Sequence, residues 1–386
     1  MRLLLNRFLR QSFAWSLIFF VLLQGGCASR RPVVQQDLLQ ETWMRQIETN
    51  ADAWTRGADN WFLSGRANLT EKELRHAPNS ALVSTMMVRV PAFTNIKVKG
   101  DFQVQIFGTE QQDSVYIYGT NEAVSATNVR VQAGVLCVDQ IRPAPGMDHV
   151  IVRIGVRHLE RLIQAGHGSI EGVQLHGYHM EVISLASGPI YLGGQLDVRY
   201  VENSGRGDMH LFGVRTPDLS IKTSGCGVTT LCGQMAVHSI MHSGVGNISM
   251  IGANSNHLNI YVSGAGKISI VGPVNLGDVV ARGEAGVYIC DSRSRAIRAC
   301  VYDDAAIGIA GAVGNLTVEA QKRSCFAGRR LFAETVFARA TEDAHISVFA
   351  RNKVFASATG YGSVYVGGHP FIHSEFKGGN GVVIYL

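Results

Sequence analysis

The chain has 386 residues, of which 65 (35 basic plus 30 acidic) are charged, or 17%, against about 25% in ordinary globular domains. Hydrophobic residues make up 46% and glycine counts 43, so the chain can bury a core and is not intrinsically disordered. The formal charge of +5 falls to +2 (5 − 3) if Arg2, Arg7 and Arg10 leave with an export signal, and no concentrated basic footprint offers itself to a nucleic acid.

Residues 1–26 read as a signal peptide of the lipoprotein type. Arg2, Arg7 and Arg10 form a positive leader, and Phe13 to Leu23 is an apolar run too short to span a bilayer comfortably. The run ends in Leu23-Gln24-Gly25-Gly26-Cys27, which resembles the bacterial lipobox, with leucine one place further from the cysteine than usual. The resemblance implies cleavage before Cys27 and a lipid on its thiol. Ala28 follows where an aspartate would retain a lipoprotein in the inner membrane, so the expected address is the outer membrane.

Residues 27–87 read as a linker and an amphipathic helix. Leu39, Trp43, Ile47, Trp54 and Trp61 recur at four or seven residues, which places them on one helical stripe. The stripe serves either to cap the domain that follows or, through Trp43, Trp54 and Trp61, to anchor a partner.

Residues 88–164 carry short alternating pairs, such as Ile96/Val98, Val104/Ile106, Val115/Ile117 and Leu136/Val138, and read as an irregular β region. From residue 165 a Ser-Gly-x-Gly-x-apolar pattern repeats, as in Ser204-Gly205-Arg206-Gly207 and Ser243-Gly244-Val245-Gly246. Indexed by the first inward residue, the series is Ile170, Ile190, Met209, Thr229, Ile248, Ile268, Val287, Ile307, Phe326, Ile346, Val364 and Val383, with gaps of 18 to 20 residues. Period-two alternation within each unit means strands with one buried face, and the connections are too short for crossover helices. Each unit is therefore one coil of an all-β solenoid, a parallel β-helix of about twelve regular coils. Glycine at the corners is expected to admit positive φ angles.

Val90-Pro91-Ala92-Phe93-Thr94-Asn95-Ile96-Lys97-Val98-Lys99-Gly100 and the Ser-Gly-x-Gly ladder resemble the bacterial auto-transporter adhesin, head GIN domain family. The resemblance covers residues 88–386 and implies a right-handed β-helix in an envelope or secreted protein.

Few residues suggest chemistry. Outward positions of the coils contribute isolated acids, Glu171 and Asp208, rather than the carboxylate cluster of a polysaccharide-cleaving β-helix enzyme. His176/His179 and His238/His242 lack a third ligand at metal spacing and read as solvent-facing. The Arg206-Gly207-Asp208 tripeptide contains a glycine that the repeat already demands. No cofactor or metal is expected. Cys137, Cys226, Cys232, Cys290, Cys300 and Cys325 fall at different corners or coils, so free thiols are expected through the solenoid.

Where corner glycines give way to charge, Asp303, Lys322 and Glu342 occupy one position and Asp304, Arg323 and Asp343 the next. Acid, base and acid alternate, which predicts two structural ladders rather than an active site. The chain closes on an apolar strand that is either covered by the preceding loop, His369 to Lys377, folding across the end, or open, with Val383 and Tyr385 as candidate partner contacts by edge pairing with a second copy or another envelope protein. The expected function is a non-enzymatic, lipid-anchored envelope protein that presents its β-helix as a binding or adhesion surface to a protein or glycan. The alternative is an accessory subunit of an outer-membrane assembly such as a secretion-system core.

Overall fold

The computed structural model describes residues 84–109 and 113–386; Cys27, Trp43, Trp54, Trp61 and the amphipathic stripe lie outside the described residues. The described chain is a parallel β-solenoid. The indexed residues from Ile170 to Val383 are Cα partners of one another from coil to coil, and each is at most 6% exposed. Alternation along each strand sends these side chains inward, and the constant coil length stacks them into one column.

The region before residue 165 departs from simple coiling. Its strands are β1 (Ser84–Val88), β2 (Asn95–Lys99), β3 (Gln103–Gly108), β4 (Ser114–Gly119), β5 (Thr127–Gln132), β6 (Val135–Gln140), β7 (Ile151–Val156) and β8 (Leu159–Gln164). β2 lies between β6 and β8, and β3 lies between β7 and β9 (Ile170–Ser184), all parallel. The first coil of the sequence is thus inserted between two later ones. β4 and β5 then close the far end in antiparallel fashion, on β7 and β6, and β1 pairs antiparallel with β4. A short helix, α1 (Asn121–Ser125), joins β4 to β5 and is capped by Thr120, whose hydroxyl accepts from the Ala123 N–H at 3.3 Å. Antiparallel strands cannot extend a parallel stack, so they terminate the rod at this end.

Of the Ser-Gly-x-Gly corners, the one at Gly264 holds the expected positive φ of 96°, but the earlier ones need glycine for another reason. Gly205, Gly225 and Gly244 are not among the positive-φ residues. A Cβ on Gly225 would instead sit 1.8 Å from the Gly205 carbonyl oxygen of the preceding coil. Glycine here permits close stacking of backbone on backbone.

Inside these corners runs a buried polar row that the sequence reading missed: Gln164, Ser184, Asn203, Thr223 and His242, each at most 5% exposed. Gln164 Nε2 donates to the Gly168 carbonyl (2.5 Å) and Asn203 Nδ2 to the Gly207 carbonyl (3.1 Å), so the side chains bridge their own corners. His242 is not solvent-facing as expected; it points inward, with Nδ1 2.5 Å from Thr223 Oγ1. Further along, the row becomes Val262, Ala281, Val301, Ala320, Ala340 and Ala358, and the corner changes with it. Gly283, Asp303, Lys322, Glu342 and Gly360 now hold φ of 72°, 63°, 60°, 59° and 71°. A small apolar residue offers no bridge to a wide corner, and a tight left-handed turn replaces it.

Candidate binding face

One face of the rod is built by the strands that carry the index column. Its middle outward row runs Met87, Tyr116, Arg153, Gln105, Glu171, Tyr191, His210, Thr230, Ser249, Ser269, Tyr288, Gly308, Ala327, Ser347, Tyr365 and Ile384, linked partner to partner. Those sixteen strands include β1, β4, β7 and β3, so the face continues across the antiparallel end. On one side lies a row with Phe107, Val173, Phe212, Cys232, Ile251, Val271 and Cys290, apolar up to Arg329 further along. On the other lies a row from Pro189 to Val382 whose only charged members are Asp208 and Lys267.

Side chains at about 4.8 Å spacing shield one another, so much of the face is half-buried and flat. Tyr191 and His210 stack with ring centroids 5.0 Å apart and planes within 6°. Desolvation pushes titratable groups on this face toward their neutral forms. Burial lowers the pKa of His210 and of the Lys267 ammonium, takes His345 down to about 4, and raises the Cys232 thiol to about 11. The Thr230 hydroxyl is fully buried and has no hydrogen-bond partner. The opposite behaviour is seen on the face formed by the last strand of each coil, where Arg161 pairs with Glu181 at 2.7 Å and Lys222 with Glu202 at 3.5 Å.

The charged corners lie away from this face's flat rows. Lys322 Nζ is 2.6 Å from Asp303 Oδ1, and Arg323 Nε is 2.7 Å from Asp304 Oδ1, with a second Arg323–Asp304 contact through Nη2. Hydrogen bonding to Lys322 is the chief cause that lowers the Asp303 pKa, and Asp303 in turn raises that of Lys322. Glu342 adds a smaller pull on Lys322, and Asp343 on Arg323. Asp303 Oδ2 also accepts from the Gly283 N–H at 3.1 Å. These contacts hold neighbouring coils together.

At the C-terminal end, Val383 closes the index column at 6% exposure. The core-facing positions of Ile372–Gly379 are His373, Glu375 and Lys377, stacked over Val354, Ala356 and Ala358. Glu375 pairs with Lys377 at 2.9 Å, and Tyr385 meets the His373 ring edge-on at 5.5 Å. Polar side chains therefore lie over the last coil's core. Phe371, Ile372 and Phe376 stand outward and exposed beside them.

Two shallow clefts occur at the rod's ends, one of about 330 Å³ beside Phe93, Asp113 and Arg157, the other of about 420 Å³ beside His369, His373 and Tyr385. In the first, Asp113 accepts from the Arg157 backbone N–H at 3.2 Å and ties the strand ends together. Among the described residues no group of three His, Cys, Asp or Glu could hold a metal ion. All six described cysteines are free. Asp208 of the Arg-Gly-Asp tripeptide accepts from the Val228 N–H at 2.8 Å, a use within the stack.

The index column, the corner ladder and the inserted N-terminal coil carry the pattern of one family. Residues 92–292 and 278–370 match "Putative auto-transporter adhesin, head GIN domain". The chain belongs to that family. No curated protein matches it. Among solved structures it is similar to a "putative adhesin" from Parabacteroides merdae, at 13% identity over 80% of this chain and 98% of that one, TM-score 0.28. A "Putative lipid binding protein" from Parabacteroides distasonis shows 15% identity over 79% and 97%, TM-score 0.25. A "putative adhesin" from Bacteroides fragilis shows 15% over 80% and 98%, TM-score 0.23. The assignment rests on the family match and not on these three likenesses.

Proposed function

We propose that the protein is a non-enzymatic, lipid-anchored rod of the bacterial outer membrane that binds through its sparsely charged sheet face. The observation that carries this reading is the face itself. Sixteen strands share one flat surface on which, from Tyr191 to Ile384, the middle row bears no carboxylate, lysine or arginine. Charged side chains are depleted and aromatic ones enriched at the cores of protein interfaces, and a monomer rarely exposes so long a weakly polar strip. The lipobox-like Leu23-Gln24-Gly25-Gly26-Cys27 supports the anchor, and the family's description supports adhesion. The right-handed winding implied by the family resemblance is part of the same reading.

The test is an adherence or envelope-association assay on cells carrying Ile251→Arg, which plants a charge at the centre of the face without touching the core. Loss of association, with normal export and fold, is the expected result; unchanged association sinks the reading. Palmitate labelling that persists in Cys27→Ser would overturn the anchor, and protease accessibility on intact cells places the rod on one side of the membrane. The second reading, an accessory subunit of an outer-membrane assembly, draws on the same face and gives recovery of a defined complex that Ile251→Arg disperses.

A further inference from the structure

The face carries its own complement. Asp208 and Lys267 lie in one row, three coils apart, which is about 14 Å along the rod. They are opposite in sign. A two-fold axis running parallel to the strands, midway between the Thr230 and Ser249 coils, exchanges their positions. Under that operation Asp208 of one copy faces Lys267 of the other, twice. The same axis maps every coil of the face onto a coil of the face: β1 falls over Val382–Tyr385, Tyr191 over Tyr288, and Arg153 and Glu171 over the uncharged Ser347 and Gly308. In the middle row and the Asp208 row no like charges meet; in the third row Arg329 falls over Phe107, whose ring carries the Arg153 guanidinium at 4.9 Å. An axis one coil away in either direction would lose both the charge pairing and the full overlap.

We infer that the face packs against the same face of a second copy of the chain about this axis, with two Asp208–Lys267 pairs fixing the register. The inference rests on the reading of this face as the binding surface, and names its partner. Two further observations fit it. Sixteen strands at about 4.8 Å by four residues at about 3.3 Å give a strip on the order of 1,000 Å², above the roughly 800 Å² per partner of a standard interface. Lys267 is already partly desolvated, so a facing carboxylate meets it with less hydration left to remove. An isologous contact of this kind closes after two copies and does not propagate into fibres.

The experiment is sedimentation equilibrium of the full-length chain in excess mild detergent, for wild type, Lys267→Asp, and the exchanged pair Asp208→Lys/Lys267→Asp, with circular dichroism to confirm the β-solenoid. Wild type is expected to dimerise, Lys267→Asp to weaken the dimer by about tenfold or more, and the exchanged pair to recover most of the loss. Because Asp208 also caps the Val228 N–H, the additional variant Ser249→Arg tests the axis without touching that bond, and it too must weaken the dimer. A wild type that stays monomeric, or a folded exchanged pair no tighter than Lys267→Asp, overturns the inference. If the wild type is monomeric while Ile251→Arg still abolishes envelope association, homotypic pairing fails and the binding face stands. If neither variant changes either assay, both fail together.

Discussion

Acidification should unfold this rod through histidines held neutral, and His345 is the most informative of them. Its Nδ1 lies 2.9 Å from Ser363 Oγ and its ring 4.7 Å from that of Tyr365, with Cys325 and Ser363 as its strand neighbours. No carboxylate is among these neighbours, and burial takes its pKa from 6.5 to about 4. Above pH 6.5 the ring is neutral in folded and unfolded chains alike, and stability is at its full value. Between 6.5 and about 4 the unfolded chain takes up a proton that the folded chain refuses, so stability falls as pH falls. At about 1.36 kcal/mol per pKa difference of one, the loss is about 2.6 kcal/mol by pH ~4.5 and about 3.4 kcal/mol at full titration. Urea unfolding of wild type and His345→Asn at pH ~7.5 and ~4.5 isolates the effect, since carboxylates contribute equally to both proteins. The variant should lose about 2 to 3 kcal/mol less than wild type over that interval. Equal losses in the two proteins would refute the argument that burial, without a compensating partner, sets this histidine's charge.

Gly225→Ala places a Cβ 1.8 Å from the Gly205 carbonyl oxygen; separating the coils to relieve it breaks their hydrogen bonds, so a loss of about 3 kcal/mol or more is expected in chemical unfolding. Lys322 holds φ 60° and pairs with Asp303, so Lys322→Gly and Lys322→Val both remove the pair but only the valine must be forced into the left-handed turn. The melting temperature of the valine variant should be clearly the lower of the two. Cys226 is exposed, whereas the Cys232 thiol is buried and its pKa is raised to about 11. Iodoacetamide at mildly alkaline pH should therefore label Cys226 and spare Cys232 in peptide mass mapping.

Coil period and inward column were legible from residues alone. Side chains alternate strictly along a strand, and a coil of constant length must stack like on like, so Ile170 through Val383 align in space as they do in the sequence. The alternating charges at Asp303, Lys322 and Glu342 were legible for the same reason, as they occupy one phase of the same period. The scarcity of acids along Tyr191, His210, Thr230 and Ser249 was visible too, although its meaning as a sparsely charged face was not, because the face continues through β3, β7, β4 and β1 in an order the chain does not follow.

That order was decided only by tertiary structure. Alternation tells that Val104 and Ile106 face inward, but any strand with a matching face could lie beside β3, and its hydrogen bonding to β7 on one side and β9 on the other chose its place. The role of the corner glycines was decided in the same way: the obstacle at Gly225 is a carbonyl of another coil, invisible to local φ preferences. His242 points inward because Thr223, one coil away, offers it a partner, and a lone histidine in a strand carries no mark of which neighbour it will meet. Repeats make position along the rod readable, since each coil reports on the next; contacts between coils of unlike sequence depend on three-dimensional proximity and become definite only in the folded stack.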